Sequence, residues 1–360
     1  MKSVLIINPP INLYGGAERQ IAELANHLTN KNHKVTIASP FMCPEFKSSL
    51  KEARIVETGN EQELLNFVIK YSCKFEIFNP HNHPCELFAP YTQKLNTVWQ
   101  CNEPPGYVLE GNPVNPQERA YIQATCKKAV VISDFDRARF KSLYGMNADV
   151  NNPGIHYDFF AEDVKVRNTL NMKNNFVVTQ VGYFTWTKQQ KKTIEIFAEI
   201  RKENKNCKLV LVGYNAWAKQ YPYVRECHEL VEKLGLEDDV FISDYLFGDE
   251  NIRNIYKQSN VCINPTLSQG AYASVFESIS AGVPTIVSDD FVASNLIKKN
   301  ELGIVVAGQR NEDYVSKVFD VMETENAYKE KVKTNKVWIK ENLTWKRFGE
   351  KYEEIFETVC

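Results

Sequence analysis

The sequence predicts two α/β domains in tandem, each a doubly wound parallel sheet, followed by a helical tail. Three observations carry this. Short apolar runs alternate with amphipathic runs, the rhythm of β-α-β crossover units. The alternation halts at a turn-rich stretch, NNPGIHYDFF (151–160), and then restarts. The chain has 360 residues, long for one core and comfortable for two.

The elements follow in order. SVLIINP (3–9) is a buried-type strand, and 17–30 places Ile21, Leu24, Ala25 and Leu28 at helical spacing. HKVTIASP (33–40), KFEIFNP (74–80), LNTVWQCN (95–102) and KAVVISD (128–134) continue the strands, with helices at 61–72 and 115–126 and a third opening at Asp136. After the pause come strands at 175–184, 207–214, 239–243, 261–265, 284–288 and 303–306. Helices fall at 189–203, 223–236 and 249–259, and the tail 311–358 is helical throughout. The expected division is a first domain over 1–155, a second over 156–340 and a terminal helix over 341–360 that packs back on the first. Ligands on such sheets bind beyond the carboxyl ends of the strands, so a site in a cleft between two facing domains is the expectation.

Composition narrows the class. Net charge is −2, from 43 basic and 45 acidic residues, which speaks against a nucleic-acid binder. Nine cysteines (43, 73, 85, 101, 126, 207, 227, 262 and 360) are scattered without a CxxC, the pattern of reduced thiols in a cytoplasmic protein. His81, His83 and Cys85 in NPHNHPC match no standard ligand spacing, so no metal site is expected. No apolar run approaches the ~20 residues of a membrane span, which leaves peripheral membrane contact as the only kind expected.

Three stretches carry chemistry. In NPPINLYGGAERQ (8–20), Gly15 and Gly16 stand between a strand and a helix, where backbone N–H groups can approach an anion. This is not a GxGxxG fingerprint, which weakens a dinucleotide-binding reading. VGYFTWTK (181–188) ends a strand with Gly182 and Tyr183, and Lys188 opens the following helix against its dipole. SQGAYASVFESISAGVPTIVSDD (268–290) offers small residues and a lone acid, Glu277. Ser274 and Glu277 fit the S-x-x-E capping box, so Glu277 either caps its own helix or accepts hydrogen bonds from vicinal hydroxyls such as a ribose.

In order and context these stretches resemble the retaining glycosyltransferases of family 4, whose two Rossmann-like domains form the GT-B fold. GGAER (15–19) looks like the family's first-loop motif, and VISDFDRARFKSLYG with NNPGIHYDFF like its interdomain passage, with His156 where an aspartate is usual. VGYFTWTK is similar to the diphosphate-binding strand end, DENIRNIYKQSNVCINPT with SQGAYASVFESISAGVPTIVSD to the donor region, and TWKRFGEKYEEIF (344–356) to the terminal helix.

The resemblance implies hexose transfer from a nucleotide sugar, without a metal or other cofactor, to a glycan, lipid-linked or small-molecule acceptor. It implies that Glu277 binds the ribose and Lys188 the diphosphate. Gly270, Ala271, Tyr272, Ala273 and Ser274 would approach the sugar and phosphates, and Gly15 and Gly16 would close the site. Gly213 and 244–246 would form the base pocket, and Lys191 or Lys192 would add charge. The aromatic-containing loop 102–113 is an acceptor-site candidate. Three departures from the family pattern matter for the site: Tyr183 replaces an arginine, Gln269 an acid and Asn102 a histidine. These departures keep open an alternative, a nucleotide-sugar-binding module that has lost turnover. A glycosidase is disfavoured, since no pair of flanking carboxylates stands out.

Overall fold

The computed structural model describes residues 1–92, 96–102, 114–165, 172, 174–213, 222–243, 248–267 and 272–360. The chain divides into two units, Met1–Gly154 with Leu343–Cys360, and Ile155–Asn342. Each is a parallel α/β unit, the GT-B type of domain.

The first unit holds seven strands: β1 (Ser3–Ile7), β2 (Lys34–Ser39), β3 (Arg54–Glu57), β4 (Ile77–Pro80), β5 (Asn96–Gln100), β6 (Cys126–Val131) and β7 (Asp149–Val150). Their order is β3-β2-β1-β4-β5-β6-β7, all parallel. The chain therefore reverses its direction of growth between β1 and β4, and the loops leaving those strands diverge to form a crevice. β1 is buried from Val4 to Ile7, as a strand covered on both faces must be. β3 escapes a search for apolar runs because it is an edge strand, with RIVE largely exposed.

The terminal helix Trp345–Val359 belongs to this unit because of its apolar face. Phe348, Tyr352, Ile355, Phe356 and Val359 recur at helical spacing and join Ile21, Leu24, Ala25 and Leu28 of the helix Gly16–Asn30 in one core. The approach is close: a Cβ on Gly349 would lie 2.2 Å from Cγ of His27. Thr344 caps the helix, accepting from the Arg347 N–H at 3.1 Å. Glu353 joins His27 at 2.8 Å and His33 at 3.4 Å.

The second unit repeats the plan with β8 (Phe176–Val181), β9 (Cys207–Val212), β10 (Val240–Ser243), β11 (Val261–Asn264), β12 (Thr285–Ser288) and β13 (Ile304–Val306). Their order is β10-β9-β8-β11-β12-β13, so the reversal falls between β8 and β11. Its core gathers Val178, Leu209, Leu211, Val261, Ile263 and Ile286 from the strands with Ile194, Phe197 and Tyr314 from helices. The helical tail is divided, with helices Asn311–Glu323, Glu325–Asn335 and Val337–Asn342 preceding the terminal one. The turn-rich 151–160 stretch is not wholly irregular: His156 occupies the N-cap position of a short helix, Tyr157–Ala161. Among the described residues no helix is long and apolar enough to cross a membrane.

Candidate functional site

In the second unit the crevice is built from two loops and a helix. Backbone approach explains the first glycines. A Cβ on Gly213 would sit 1.9 Å from the carbonyl oxygen of Gly182, so only glycine lets the ends of β9 and β8 come this near. The Lys188 stem lies over Gly182, with Cδ 4.0 Å from where a Cβ would stand. Lys188 is half-buried and falls in the turn before the helix Gln190–Glu203, two residues earlier than its first residue. That helix has no acid in its first turn, which leaves its positive end uncompensated by the chain's own side chains there.

The loop after β11 is tied to the loop after β8 by one backbone hydrogen bond, Leu267 N–H to the Thr187 carbonyl at 2.8 Å. Beyond it runs the helix Tyr272–Ser280. Tyr272, Val275, Phe276, Ser278, Ile279 and Ser280 are buried, whereas Ala273, Ser274 and Glu277 are half-buried. Residues three and four apart share a helix face, so these three form its accessible side, beginning at its N-terminus. The geometry corrects one expectation. Ser274 lies within the helix and is not its N-cap; its carbonyl accepts from the Tyr256 hydroxyl at 3.0 Å. The capping-box reading of Ser274 and Glu277 therefore falls. Burial, and after it the charge of Glu277, pushes the Tyr256 hydroxyl well above its ordinary value.

Lys191 and Lys192 are committed elsewhere. Lys191 pairs with Glu226 at 3.1 Å, and Lys192 donates to both the backbone and side-chain oxygens of Gln309. Burial lowers the Lys192 ammonium below its usual range. The Lys191 charge is thereby paired with an acid, whereas the Lys192 partner is neutral. Gln269, Gly270 and Ala271 lie outside the described residues, as do 244–246 and most of 102–113.

The first unit's crevice has a different lining. Gly15 is the N-cap of the helix Gly16–Asn30, and its N–H donates to the Glu18 carboxylate at 3.1 Å. A Cβ on Gly16 would meet nothing within 4 Å. Beside this loop runs a one-way chain of amides. The Tyr352 hydroxyl donates to Gln100 Oε1. Gln100 Nε2 donates to Asn102 Oδ1 at 2.8 Å, Asn102 Nδ2 to Asn82 Oδ1 at 3.0 Å, and Asn82 Nδ2 to Asn8 Oδ1 at 2.9 Å. One residue of the terminal helix thus fixes side chains at the ends of β1, β4 and β5. Sequence reading singled out Asn102 alone; the others become visible only once the strand order places those ends together.

His81 is fully buried at the end of β4, with Nε2 2.9 Å from Asn79 Oδ1. Because Asn79 spends its amide on the Val98 carbonyl, that ring nitrogen carries the proton. Desolvation lowers its pKa to about 3. His83 pairs with the buried Glu86 at 2.7 Å. Among the described residues no cluster of three His, Cys, Asp or Glu side chains could hold a metal ion. Seven of the nine cysteines are buried; Cys73 and Cys360 are exposed.

The second unit thus brings a close-packed glycine, a lysine and a helix N-terminus together at its switch point, the position where α/β units of this type take their ligands. The chain belongs to the glycosyl transferases group 1 family, whose model matches residues 162–345, most of this second unit. A GDP-mannose-dependent alpha-(1-6)-phosphatidylinositol monomannoside mannosyltransferase of Mycobacterium tuberculosis is 25% identical over 191 residues, 49% of this chain and 48% of that protein. The chain thus spans about half the length of the curated relatives it matches. Among solved structures, Anabaena HepE, crystallised with UDP and glucose, superposes with a TM-score of 0.85 at 14% identity, covering 99% of this chain and 100% of that one. A glycosyltransferase from Rickettsia africae gives 0.80 at 17% identity, covering 99% and 98%. At those identities the likeness is one of fold.

Proposed function

We propose that the protein is a retaining hexosyltransferase. It takes a sugar from a nucleoside-diphosphate donor and passes it to a glycan, lipid-linked or small-molecule hydroxyl, without a metal. The observation that carries this is the shared accessible face of Ala273, Ser274 and Glu277 at a helix start, with Lys188 on the loop tied to the same switch point. A diphosphate needs compensation of the charge that develops as it leaves. Lys188 and the N-terminus of the helix Tyr272–Ser280 supply it in this reading. Glu277, one turn further along, accepts from the ribose hydroxyls. Gly182 and Gly213 bring backbone close to the nucleotide, Tyr183 donates a neutral hydrogen bond, and Gln269 to Ala271 approach the sugar.

The reaction is a front-face displacement. The acceptor oxygen bonds to the anomeric carbon on the face from which the diphosphate departs, the carbon–phosphate-oxygen bond breaks, and the leaving oxygen takes the acceptor proton. No protein base is required, so the lack of a paired-carboxylate signature is consistent with the chemistry. Since the named relatives are a GDP-mannose-dependent enzyme and a protein solved with UDP and glucose, the donors to try first are GDP-mannose and UDP-glucose. The test is turnover of each, with the product anomer read by NMR. Transfer with retention is expected, lost in Glu277→Ala. Inversion, or no transfer and no donor hydrolysis by the wild type, would overturn the proposal. Nucleotide binding without turnover would favour the non-catalytic alternative, for which Tyr183→Arg restoring activity is the signature.

A further inference from the structure

Many of the hydrogen bonds that hold the loop from Gly182 to Gln189 are accepted by its carbonyl groups. Gln190 Nε2 donates to the carbonyls of Tyr183 at 2.8 Å and Gly182 at 3.4 Å. Gln180 Nε2 donates to that of Lys188 at 2.6 Å. Other bonds of the loop include Gly182 N–H to Val212, Lys188 N–H to Thr185, Gln189 Nε2 to Trp186, Leu267 N–H to Thr187, Thr193 N–H to Gln189, and one between the Thr185 and Thr187 hydroxyls at 2.8 Å.

In a planar trans peptide the C=O and N–H point in opposite directions. Drawing the carbonyls of Gly182, Tyr183 and Lys188 onto buried glutamines therefore turns the N–H groups of Tyr183, Phe184 and Gln189 away from them. The Tyr183 and Phe184 N–H groups are adjacent in the chain, the arrangement that can face an anion.

The two glutamines are unusual where they stand. Gln180 is 2% exposed inside a parallel strand, where aliphatic residues are the rule, and Gln190 is 1% exposed at a helix start. Each leaves its Oε1 buried without a hydrogen-bond partner among the described residues. An orphaned buried carbonyl is a cost that stability alone does not explain. The two Nε2 donors account for keeping it.

We propose that Gln180 and Gln190 are positioning residues that set the polarity of this loop toward the donor diphosphate. They act through the backbone and stand in for the positive charge that Tyr183 does not carry. The inference rests on the donor reading given above.

The test uses the full chain as Gln180→Met and Gln190→Met, both near in volume and without a donor. UDP and GDP are titrated by calorimetry, uridine and guanosine by saturation-transfer NMR, and melting temperature is recorded. Each substitution is expected to weaken the bound diphosphate about tenfold, the loss of one well-placed hydrogen-bonding device, while the matching nucleoside changes less than about twofold. Either variant suffices if the other fails to fold. Unchanged diphosphate affinity in both, or equal loss of diphosphate and nucleoside, overturns the inference alone. A wild type that binds neither UDP nor GDP overturns the donor reading and this inference with it.

Discussion

The two units share the order of their first six strands and furnish their switch points differently. In the second unit the loop after the first strand is fastened by its carbonyls, through Gln180, Gln190 and Leu267, and carries Lys188 beside a helix start. In the first unit the equivalent loop meets a chain of neutral amides, Gln100 to Asn102 to Asn82 to Asn8, set by Tyr352. Topology thus provides a crevice in each unit, and side chains decide its character. One arrangement suits an anion. The other is uncharged and mostly buried, with Gln100 0% and Asn8 2% exposed.

The largest effect expected of this difference is at Lys188. Lys188→Ala should lower affinity for UDP or GDP by roughly tenfold to a hundredfold, the range for losing a charge-assisted hydrogen bond. Calorimetry should show this while the melting free energy moves by less than about 1 kcal/mol. Equal loss of binding and stability would assign Lys188 to the fold.

Acid should next single out the first unit. His81 is buried and neutral in the folded state, with a pKa of about 3. Between that value and its unfolded value near 6.5 the unfolded chain binds the proton and the native one does not, so stability falls as pH drops through this window. At pH 4.5 the loss should be about 2–3 kcal/mol relative to pH 7. Urea titrations should find this slope missing in His81→Gln.

Glycine substitutions separate packing from access. Gly213→Ala should cost about 1–3 kcal/mol, since its Cβ would run into the Gly182 carbonyl. Gly16→Ala meets no neighbour and should alter stability by less than about 0.5 kcal/mol, yet lower the rate of sugar transfer. The smallest effect concerns the amide chain: Tyr352→Phe should cost about 1 kcal/mol in a melting experiment and slow transfer through the misplaced loops.

Sequence reading reached much of this because the relevant signals are local. Apolar runs such as VLII at the start of β1, and the helical spacing of Ile21, Leu24 and Leu28, dictate buried elements wherever they occur. Lys188 and Glu277 stood out because each breaks a local rule, a cation at a helix start and an acid in an apolar helix. β3 was hidden because an exposed edge strand needs no apolar pattern. The Ser274 cap was misread because small residues on either side of a helix boundary look alike. Gln180 and Gln190 gave no signal, since a glutamine's meaning depends on which carbonyl it meets after folding. The contacts of Lys191 and Lys192 were hidden for the same reason: their partners Glu226 and Gln309 are distant in sequence.

The most direct measurement of the central claim is hydrogen–deuterium exchange with and without saturating UDP or GDP. Protection should concentrate in peptides covering 182–190 and 272–280, with little change in 8–20. Protection confined to 8–20, or none with either nucleotide, would contradict a diphosphate site at the second unit's switch point.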